Sequence, residues 1–269
     1  MNFGFVVWIF FFLVFILPQF NHWMIQRSRE AKLNSFATKR ESNVITMIHR
    51  QERVSFFGIP FYKYIDIDDS EAVLRAIRKT PDDKPIDLIL HTPGGLVLPA
   101  TQIALALHDH PAETRVLIPH YAMSGGTLLA LACDELVMDP HAVLGPVDPQ
   151  IQRGDGTSTA AASIISVAKQ KGNEADDETL ILADISEKAV AQMRDLVIEL
   201  TGDGELVEEL VCGKFTHDYP ITPDKVSELG IAVRTELPED VYELMDMYPQ
   251  RQANKPTVEY VPSGPNREG

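Results

Sequence analysis

Short apolar runs alternate with amphipathic stretches through the middle of the chain. Ile86–Leu90 and Arg115–Pro119 are predicted to be buried strands, and the helical periodicity that follows each run predicts helices over Pro99–His108 and Thr127–Ala132. A glycine-containing turn separates strand from helix in both cases. Repeated strand–helix units of this kind predict parallel strands joined by right-handed crossovers, and therefore an α/β fold.

The same pattern extends on both sides of this central region. Further strands or extended segments are predicted at Val44–Arg50, Ile59–Ile67 and Ile231–Arg234, and further helices at Asp69–Lys79, Ala160–Lys169 and Thr179–Glu199. Gly154–Thr159 lacks apolar periodicity and is predicted to be a mobile loop over the functional site. Asp68 and Asp69 directly precede a helical pattern, which favours a helix cap over a metal cluster.

The chain opens with an uncharged apolar run, Phe3–Leu17. Extended to Ile25, with Trp23 as an interfacial anchor, it reaches the length of about 20 residues that a membrane-spanning helix requires. A cleaved signal peptide is the alternative, but no basic residue precedes the run and no Ala-x-Ala-like site follows it. The basic residues that follow are Arg27, Arg29, Lys32, Lys39 and Arg40. They predict a single-pass membrane protein whose main body is cytoplasmic.

These features divide the chain into four predicted parts. They are a transmembrane anchor (1–25), a juxtamembrane linker (26–43), one folded domain (44–247) and a tail (248–269). The prolines of the tail lie among polar residues, which predicts disorder. The folded domain is long enough to bury one sizeable core.

Composition argues against nucleic-acid binding and against a metal site built on cysteines. The formal net charge of −15 speaks against a nucleic-acid partner, which requires a basic surface. The two cysteines, Cys133 and Cys212, lie in apolar stretches without a second Cys or His at metal-binding spacing. Such low cysteine use favours a reducing compartment.

Candidate chemistry lies in the two glycine turns, because function in parallel α/β folds belongs at the carboxyl ends of the strands. The first turn contains Gly94 and Gly95, and the second contains Ser124 followed by Gly125 and Gly126. Glycines let backbone N–H groups approach a substrate closely. Acyl transfer requires a nucleophile on one turn and N–H donors on the other. A serine before a helix is also typical of an ordinary N-cap. The two turns together therefore favour acyl-transfer chemistry more strongly than either turn alone.

Two strings within residues 86–150, HTPGG and YAMSGGTLLALACDELVMDPHAVLGPVDPQ, resemble the serine dehydrogenase proteinase family. This family is part of a larger group of Clp-protease-like and signal-peptide-peptidase-A-like serine proteases with a crotonase-type fold. A third string, CGKFTHDYPITPDKVSELGIAV, is similar to the closing helix and strand of that group. The resemblance therefore extends from about Val44 to Val233.

The resemblance implies a serine endopeptidase that needs no metal or organic cofactor. Ser124 would be the nucleophile, and an extended peptide or protein substrate would lie along Gly94–Val97. The amides that could hold the oxyanion are those of Gly94, Gly95, Leu96 and Gly125. Proteins with this fold assemble into rings or trimers, so a homo-oligomer is expected.

The resemblance also suggests the general base. Alignment with Clp-type relatives places Pro146 where their catalytic histidine lies, which favours the Ser–Lys chemistry of the signal-peptide-peptidase-like branch. The lysine of that branch comes from the helical region after the serine, where this chain has Lys169, Lys171 and Lys188. Lys188 is favoured, because apolar neighbours would disfavour its charged form and leave a neutral amine. Lys171 is the runner-up.

Alternatives to this assignment stay open. Lys188 could instead pair with Asp184, one turn earlier, on an exposed helix face. If no lysine is the base, the fallback is His120 or His141 with Asp139 or Asp148. At the level of function, the alternatives are a crotonase-type acyl-CoA enzyme, which would use both turns without a nucleophilic serine, and a non-catalytic scaffold that organises membrane partners.

Overall fold

A parallel five-stranded sheet forms the centre of the protein, of which the computed structural model describes residues 12, 17–49, 63–154 and 156–248. The strands, in chain order, are β1 (Asn43–Ile48), β2 (Ile86–His91), β3 (Thr114–Ile118), β4 (Tyr121–Ala122), β5 (Glu135–Met138), β6 (Val143–Leu144), β7 (Gln150–Gln152), β8 (Ser158–Ala160) and β9 (Val233–Arg234). The central sheet has the order β1-β2-β3-β5-β9, and every neighbouring pair in it is parallel. The predicted parallel α/β fold is thus confirmed, and it fits a Clp-like fold.

Helices connect these strands. In chain order they are α1 (Leu17–Arg40), α2 (Ile67–Lys79), α3 (Val97–His108), α4 (Gly125–Leu131), α5 (Ala161–Lys171), α6 (Asp177–Thr201), α7 (Glu205–Leu210), α8 (Pro223–Glu228) and α9 (Glu239–Asp246). Helices α5 and α6 are joined through a short 3₁₀ turn at Gly172–Glu174. Helix α2 begins with a capping box in which Asp66 is the N-cap and Asp69, in the first turn, is its partner. The predicted capping role is confirmed for Asp69, whereas the N-cap itself is Asp66, because the helix begins two residues earlier than predicted.

Two helical layers cover the sheet, one on each face. All six residues of β2 are buried, as expected of a parallel strand enclosed on both sides. Successive residues of a strand point to opposite faces. Leu88 and Leu90 accordingly pack into the larger core with α3 and α4, whereas Ile89 packs into a smaller core with Phe36 of α1 and Val241 of α9. Helical packing from both sides fixes the strand ends that carry the glycine turns.

An antiparallel hairpin replaces part of a predicted loop. Strands β7 and β8 pair with Gln150 opposite Ala160, and Arg153 N–H donates to Thr157 O at 2.8 Å. The prediction of a mobile loop over Gly154–Thr159 is therefore wrong for its second half. The cross-strand backbone hydrogen bonds that order this segment leave no trace in apolar periodicity.

The predicted juxtamembrane linker is mostly helical and belongs to the folded body. Helix α1 contains the end of the predicted anchor and most of residues 26–43. Its Phe36 is buried in the smaller core, and Arg40 forms an ion pair with the fully buried Asp87 of β2. Lys32 forms an ion pair with Asp240 of α9.

The predicted single-pass membrane localisation needs correction. Among the residues that the structure describes, no helix is both long enough and apolar enough to cross a membrane. The prediction depended on an apolar run, whereas the described helix α1 carries charged residues that bind to the body of the protein. The predicted segments that lie at least partly outside the described residues are the anchor with its run Phe3–Leu17, Val44–Arg50, Ile59–Ile67, Gly154–Thr159 and the tail 248–269.

Candidate active site

Ser124 occupies a strained turn between β4 and α4. Its φ and ψ angles are 50° and −114°, and among the described non-glycine residues only Glu41 also has a positive φ. Helix α4 begins at the next residue, yet the Ser124 side chain forms no capping hydrogen bond. An ordinary N-cap serine has extended backbone angles, and its oxygen accepts a hydrogen bond from a free amide. Ser124 differs on both counts, and a sharp strand-to-helix turn of this kind presents the nucleophile in some hydrolases.

The first glycine turn lies directly against Ser124. A Cβ atom on Gly94, whose φ is +96°, would lie 2.8 Å from Ser124 Cβ and 2.7 Å from Met123 O. A Cβ atom on Gly95 would lie 2.7 Å from Ile65 Cα. A side chain at Gly94 would push the two turns apart, and one at Gly95 would collide with the backbone of Ile65, so glycine is required at both. The two turns singled out in the sequence therefore meet at the carboxyl end of the sheet.

Two amides of the first turn already have acceptors inside the protein. Gly94 N–H donates to Thr92 Oγ1 at 3.2 Å, and Leu96 N–H donates to Ile65 O at 2.9 Å. Both amides were oxyanion candidates on sequence grounds. In this arrangement they stabilise the turn itself and are not available to a substrate.

The amides of Gly95 and Gly125 differ from these. Within the described ranges of the chain, neither N–H donates to a protein acceptor. The two glycines are neighbours, since a Cβ atom on Gly125 would lie 3.6 Å from the Gly95 nitrogen. Two adjacent open N–H groups beside a serine hydroxyl can hold the oxygen of a tetrahedral intermediate.

An apolar cleft begins where the first turn ends. Val97 and Leu98 are 57% and 63% exposed, which is unusual for large aliphatic side chains. They contribute to a cleft of about 460 Å³, and its lining residues are Val97, Leu98, Thr101, Pro149, Ala189, Gln192, Met193 and Leu196. The apolar lining suits the side chains of an extended peptide.

The predicted base lysines lie on exposed helix surfaces. The Lys188 side chain is 68% exposed, and its Nζ lies 2.5 Å from Asp184 Oδ2. This is the i,i+4 pair that the sequence left open as the alternative. Lys171 Nζ lies 3.5 Å from Asp176 Oδ2, and Lys169 is exposed near the end of α5. The apolar environment that would leave a lysine neutral is not found at these positions.

The fallback histidines are both exposed to solvent, and both lie near Asp139. His120 is exposed, and the centroid of its ring lies 5.4 Å from the centroid of the buried His91 ring in an edge-on contact. His141 is 95% exposed, and its Nδ1 lies 3.6 Å from Asp139 Oδ1. Asp139 also accepts a hydrogen bond from Tyr242. A ring so open to solvent is not held in one orientation.

A different histidine is held by a buried carboxylate. His217 Nδ1 lies 2.8 Å from Asp148 Oδ1, and Gln150 Nε2 donates to the other Asp148 oxygen at 2.7 Å. The Asp148 side chain is only 1% exposed, whereas His217 is 37% exposed. An antiparallel bridge between Leu144 and Ile221 brings the two segments together, and His217 and Asp148 each lie four residues from it. The pair thus combines a fixed orientation with solvent access.

The segment that carries Asp148 packs against the Ser124 turn. Thr127, in the first turn of α4, has its Oγ1 2.7 Å from Gly145 O and 3.1 Å from Gly145 N. A Cβ atom on Gly145 would lie 3.4 Å from Met123 Cα. Sequence reasoning considered Asp148 but missed His217, although His217 lies in the CGKFTHDYPIT string that carried part of the resemblance.

Comparisons with known proteins place these features in a wider group. A family model described as a ClpP-like SDH-type serine proteinase matches residues 1–269. Two uncharacterized proteins of Methanocaldococcus jannaschii are similar over nearly the whole chain. One is 54% identical over 263 residues (95% of this chain and 90% of the relative), and the other is 52% identical over 265 residues (94% and 88%). A putative enoyl-CoA hydratase of Thermus thermophilus is 32% identical over 103 residues (38% and 39%).

Proposed function

Because the chain belongs to the family of ClpP-like SDH-type serine proteinases, we propose that it hydrolyses peptide bonds with Ser124 as the nucleophile. The observation that carries this proposal is the state of Ser124, which is strained, forms no capping bond and lies beside the open amides of Gly95 and Gly125. A strained non-glycine residue costs about 1–3 kcal/mol and persists where the surrounding structure enforces it, typically at functional sites.

In the proposed reaction, Ser124 Oγ attacks the scissile carbonyl carbon while a base takes the hydroxyl proton. The carbonyl oxygen becomes an oxyanion and accepts hydrogen bonds from the amides of Gly95 and Gly125. The base then gives its proton to the leaving amine, and an acyl-enzyme remains. Water, activated by the same base, hydrolyses the ester and regenerates Ser124.

The apolar cleft beside the first turn supports a preference for apolar side chains near the scissile bond. Val97 and Leu98 line it from α3, and Met193 and Leu196 line it from α6. An extended peptide running along Gly94–Val97 would place alternate side chains toward this cleft. The proposed substrates are therefore peptides or protein segments with aliphatic residues next to the cleaved bond.

Two groups are candidates for the base. Lys188 neighbours Ala189 of the cleft, but it is exposed and paired with Asp184. His217 is oriented by the buried Asp148, and a base that is itself oriented by a third group is the usual arrangement around an activated serine. We therefore place His217 ahead of Lys188, which stays a candidate.

Digestion of a peptide library tests the proposed function. The wild type is expected to cleave after or before apolar residues, and Ser124→Ala is expected to lose at least about 1,000-fold in rate. Ser227→Ala, which removes an exposed serine hydroxyl from α8, is the matched control and should cleave like the wild type. Cleavage by Ser124→Ala at the wild-type rate would contradict the proposal.

The same assay separates the two candidate bases. His217→Gln is expected to lower kcat by about 100-fold or more, since general-base catalysis contributes roughly that much. Lys188→Met is expected to change kcat less than about threefold, because an exposed ion pair contributes little. The reverse ranking would identify Lys188 as the base.

A second candidate function is the handling of an acyl thioester. It is favoured by the partial similarity to the putative enoyl-CoA hydratase, and the amides of Gly95 and Gly125 could hold a thioester oxygen equally well. This function needs no nucleophile, so it does not account for the strain at Ser124. Turnover of acyl-CoA thioesters by Ser124→Ala, without peptide cleavage by the wild type, would favour it.

Self-association is part of the proposal as well, because the resemblance implies rings or trimers. Sedimentation velocity of the full chain measures it directly. A species larger than one chain of 30.0 kDa is expected, and a monomer at assay concentrations would contradict this part of the proposal.

A further inference from the structure

A chain of buried polar groups lies behind the first glycine turn. His49, which follows β1, is 4% exposed, and Thr92, which follows β2, is fully buried. His49 Nδ1 lies 2.9 Å from Thr92 Oγ1, and His49 Nε2 lies 3.2 Å from Asp69 Oδ2 of α2. Gly94 N–H donates to the same Thr92 oxygen at 3.2 Å. The chain therefore runs from the start of α2 to the backbone of the turn.

The chemistry of these groups fixes the direction of each hydrogen bond. An ionised carboxylate only accepts, so His49 donates from Nε2–H to Asp69. In the neutral ring Nδ1 is then the acceptor, and the Thr92 hydroxyl donates to it at 2.9 Å rather than to the more distant Gly94 O at 3.4 Å. Burial lowers the pKa of His49, which favours this neutral ring. Thr92 Oγ1 remains able to accept from Gly94 N–H, and hydrogen bonds aligned in one direction strengthen one another.

Thr92 also contacts the serine turn through its backbone. Its N–H donates to Tyr121 O at 3.2 Å, and its carbonyl accepts from Met123 N–H at 3.0 Å. A Cβ atom on Gly126 would lie 2.6 Å from Thr92 Cγ2, so the side chain packs closely under the start of α4. One residue thus holds the glycine turn through its hydroxyl and the Ser124 turn through its main chain.

We propose that Asp69, His49 and Thr92 are positioning residues that hold the Gly94–Gly95 turn against Ser124 and thereby place the Gly95 amide for the oxyanion. The proposal depends on the proposed serine chemistry. None of the three residues needs to touch the substrate. Removing the Thr92 hydroxyl leaves the Gly94 amide without its buried acceptor, which frees the turn to shift, and oxyanion stabilisation is sensitive to small displacements of the donor.

A pair of substitutions at Thr92 separates the hydroxyl from the packing. Thr92→Val keeps the shape and removes the hydroxyl, whereas Thr92→Ser keeps the hydroxyl and removes a methyl group. We expect Thr92→Val to lower the maximal rate of Ser124 modification by a fluorophosphonate about 10- to 100-fold, with little change in the half-saturating concentration. Thr92→Ser should restore most of that rate. A purely packing role predicts the opposite ranking, which would overturn the proposal.

Thr114→Val is the matched control. Thr114 is also buried, and its hydroxyl donates to Asp134 at 3.0 Å, but it lies at the opposite end of the sheet. This variant should lose stability without losing the rate of Ser124 modification. A loss of rate equal to that of Thr92→Val would show a general effect of buried hydroxyl removal and would overturn the proposal.

Nitrogen-15 NMR of histidine-labelled wild type tests the hydrogen-bonded chain independently of any activity, because it shows which His49 nitrogen carries the proton. The expected state of His49 at neutral pH is the neutral ring with its proton on Nε2. A proton on Nδ1, or a charged ring, would overturn the proposal even where variants fold poorly. If the wild type does not react with the fluorophosphonate, the proposed function fails. If it reacts and Thr92→Val reacts as fast, only the positioning proposal fails.

Discussion

The two ends of strand β2 differ in whether their polar groups have hydrogen-bond partners within the protein. At the amino end, Asp87 is fully buried and completely satisfied, with bonds from Arg40 at 2.7 and 3.0 Å, from Arg115 at 2.8 and 3.3 Å, and from Ser42. At the carboxyl end, the chain passes into a turn that carries the open amide of Gly95. The strained Ser124 lies beside it.

The amino end of the strand therefore contributes to stability, whereas the carboxyl end contributes to the proposed chemistry. Arg40 of α1 and Arg115 of β3 each donate two hydrogen bonds to Asp87 of β2. These bonds join the three elements and leave no free carboxylate oxygen for a ligand. The carboxyl end holds strain and unsatisfied donors, which weaken the fold but are what a reacting substrate needs. Ligand sites at the carboxyl ends of parallel strands are the general rule for such sheets.

The largest expected effect is on stability at the amino end. Asp87→Asn keeps the shape but leaves two arginines without their buried counter-charge, and we expect it to lower the free energy of unfolding by about 3–5 kcal/mol. Urea unfolding measures this. Asp109→Asn, at an exposed carboxylate, is the control and should change stability by less than about 0.5 kcal/mol. A loss below about 1 kcal/mol for Asp87→Asn would contradict the role of this cluster.

The next effect is on activity at the carboxyl end. Gly95→Ala introduces a Cβ atom 2.7 Å from Ile65 Cα, so the Gly95 backbone and its amide must shift away from Ile65. We expect at least about a 100-fold loss of kcat, comparable to the loss of one oxyanion donor. Gly154→Ala, where a Cβ atom meets open space, is the matched control and should be active. Wild-type activity in Gly95→Ala would exclude the Gly95 amide as a donor.

A smaller and opposite effect is expected at Ser124. Ser124→Gly removes the side chain from a backbone conformation that glycine adopts without strain, so the free energy of unfolding should rise by about 1 kcal/mol while activity is lost. Ser124→Ala keeps the strain and should be less stable than Ser124→Gly. Equal stability of the two variants would show that the turn is not strained.

The smallest effect concerns pH. Burial lowers the pKa of His49; the nearby Asp69 and Asp66 oppose this shift, and Lys63 adds to it. The unfolded chain, with the ordinary value of 6.5, therefore binds a proton at mildly acidic pH that the folded chain does not bind. Stability should be full above about pH 6.5 and fall as the pH drops toward the folded-state pKa, by at most about 1.4 kcal/mol per pH unit.

His49→Gln is the variant that checks this slope. It cannot take up the proton, so its stability should depend less on pH between about pH 5 and 7 than that of the wild type. Urea unfolding at several pH values compares the two. Parallel curves would show that His49 does not contribute to the pH dependence.

Much of the fold could be predicted from sequence because the central strands are buried on both faces. Mostly apolar runs such as Ile86–Leu90, which Asp87 interrupts, are typical of strands in a sheet covered on both faces, and glycines mark the turns that follow them. The facing arrangement of Gly94 and Ser124 followed from that topology. Hairpin β7–β8 was missed, since short polar strands have no apolar period.

The hydrogen-bonded chain behind the glycine turn could not be predicted, because its three residues are distant in sequence. His49, Asp69 and Thr92 are brought together only by the packing of β1, α2 and β2. The local pattern predicts a capping role for Asp69, and Asp69 is the capping-box partner of Asp66, but its contact with His49 has no local signal.

The exposure of Lys188 was misjudged for a related reason. A count of apolar neighbours along α6 does not tell which face of the helix is covered. Ile181 and Ile185 are themselves 60% and 44% exposed, and Lys188 lies on the same helix in solvent. Tertiary packing, which the sequence alone does not specify, decides whether such a lysine is desolvated.

The most direct measurement of the central claim is the mass of the folded chain after reaction with a fluorophosphonate, followed by peptide mapping of the adduct. One adduct per chain is expected on Ser124, and none on Ser124→Ala under the same conditions. A folded wild type that stays unmodified, or that is modified at another serine, would contradict it.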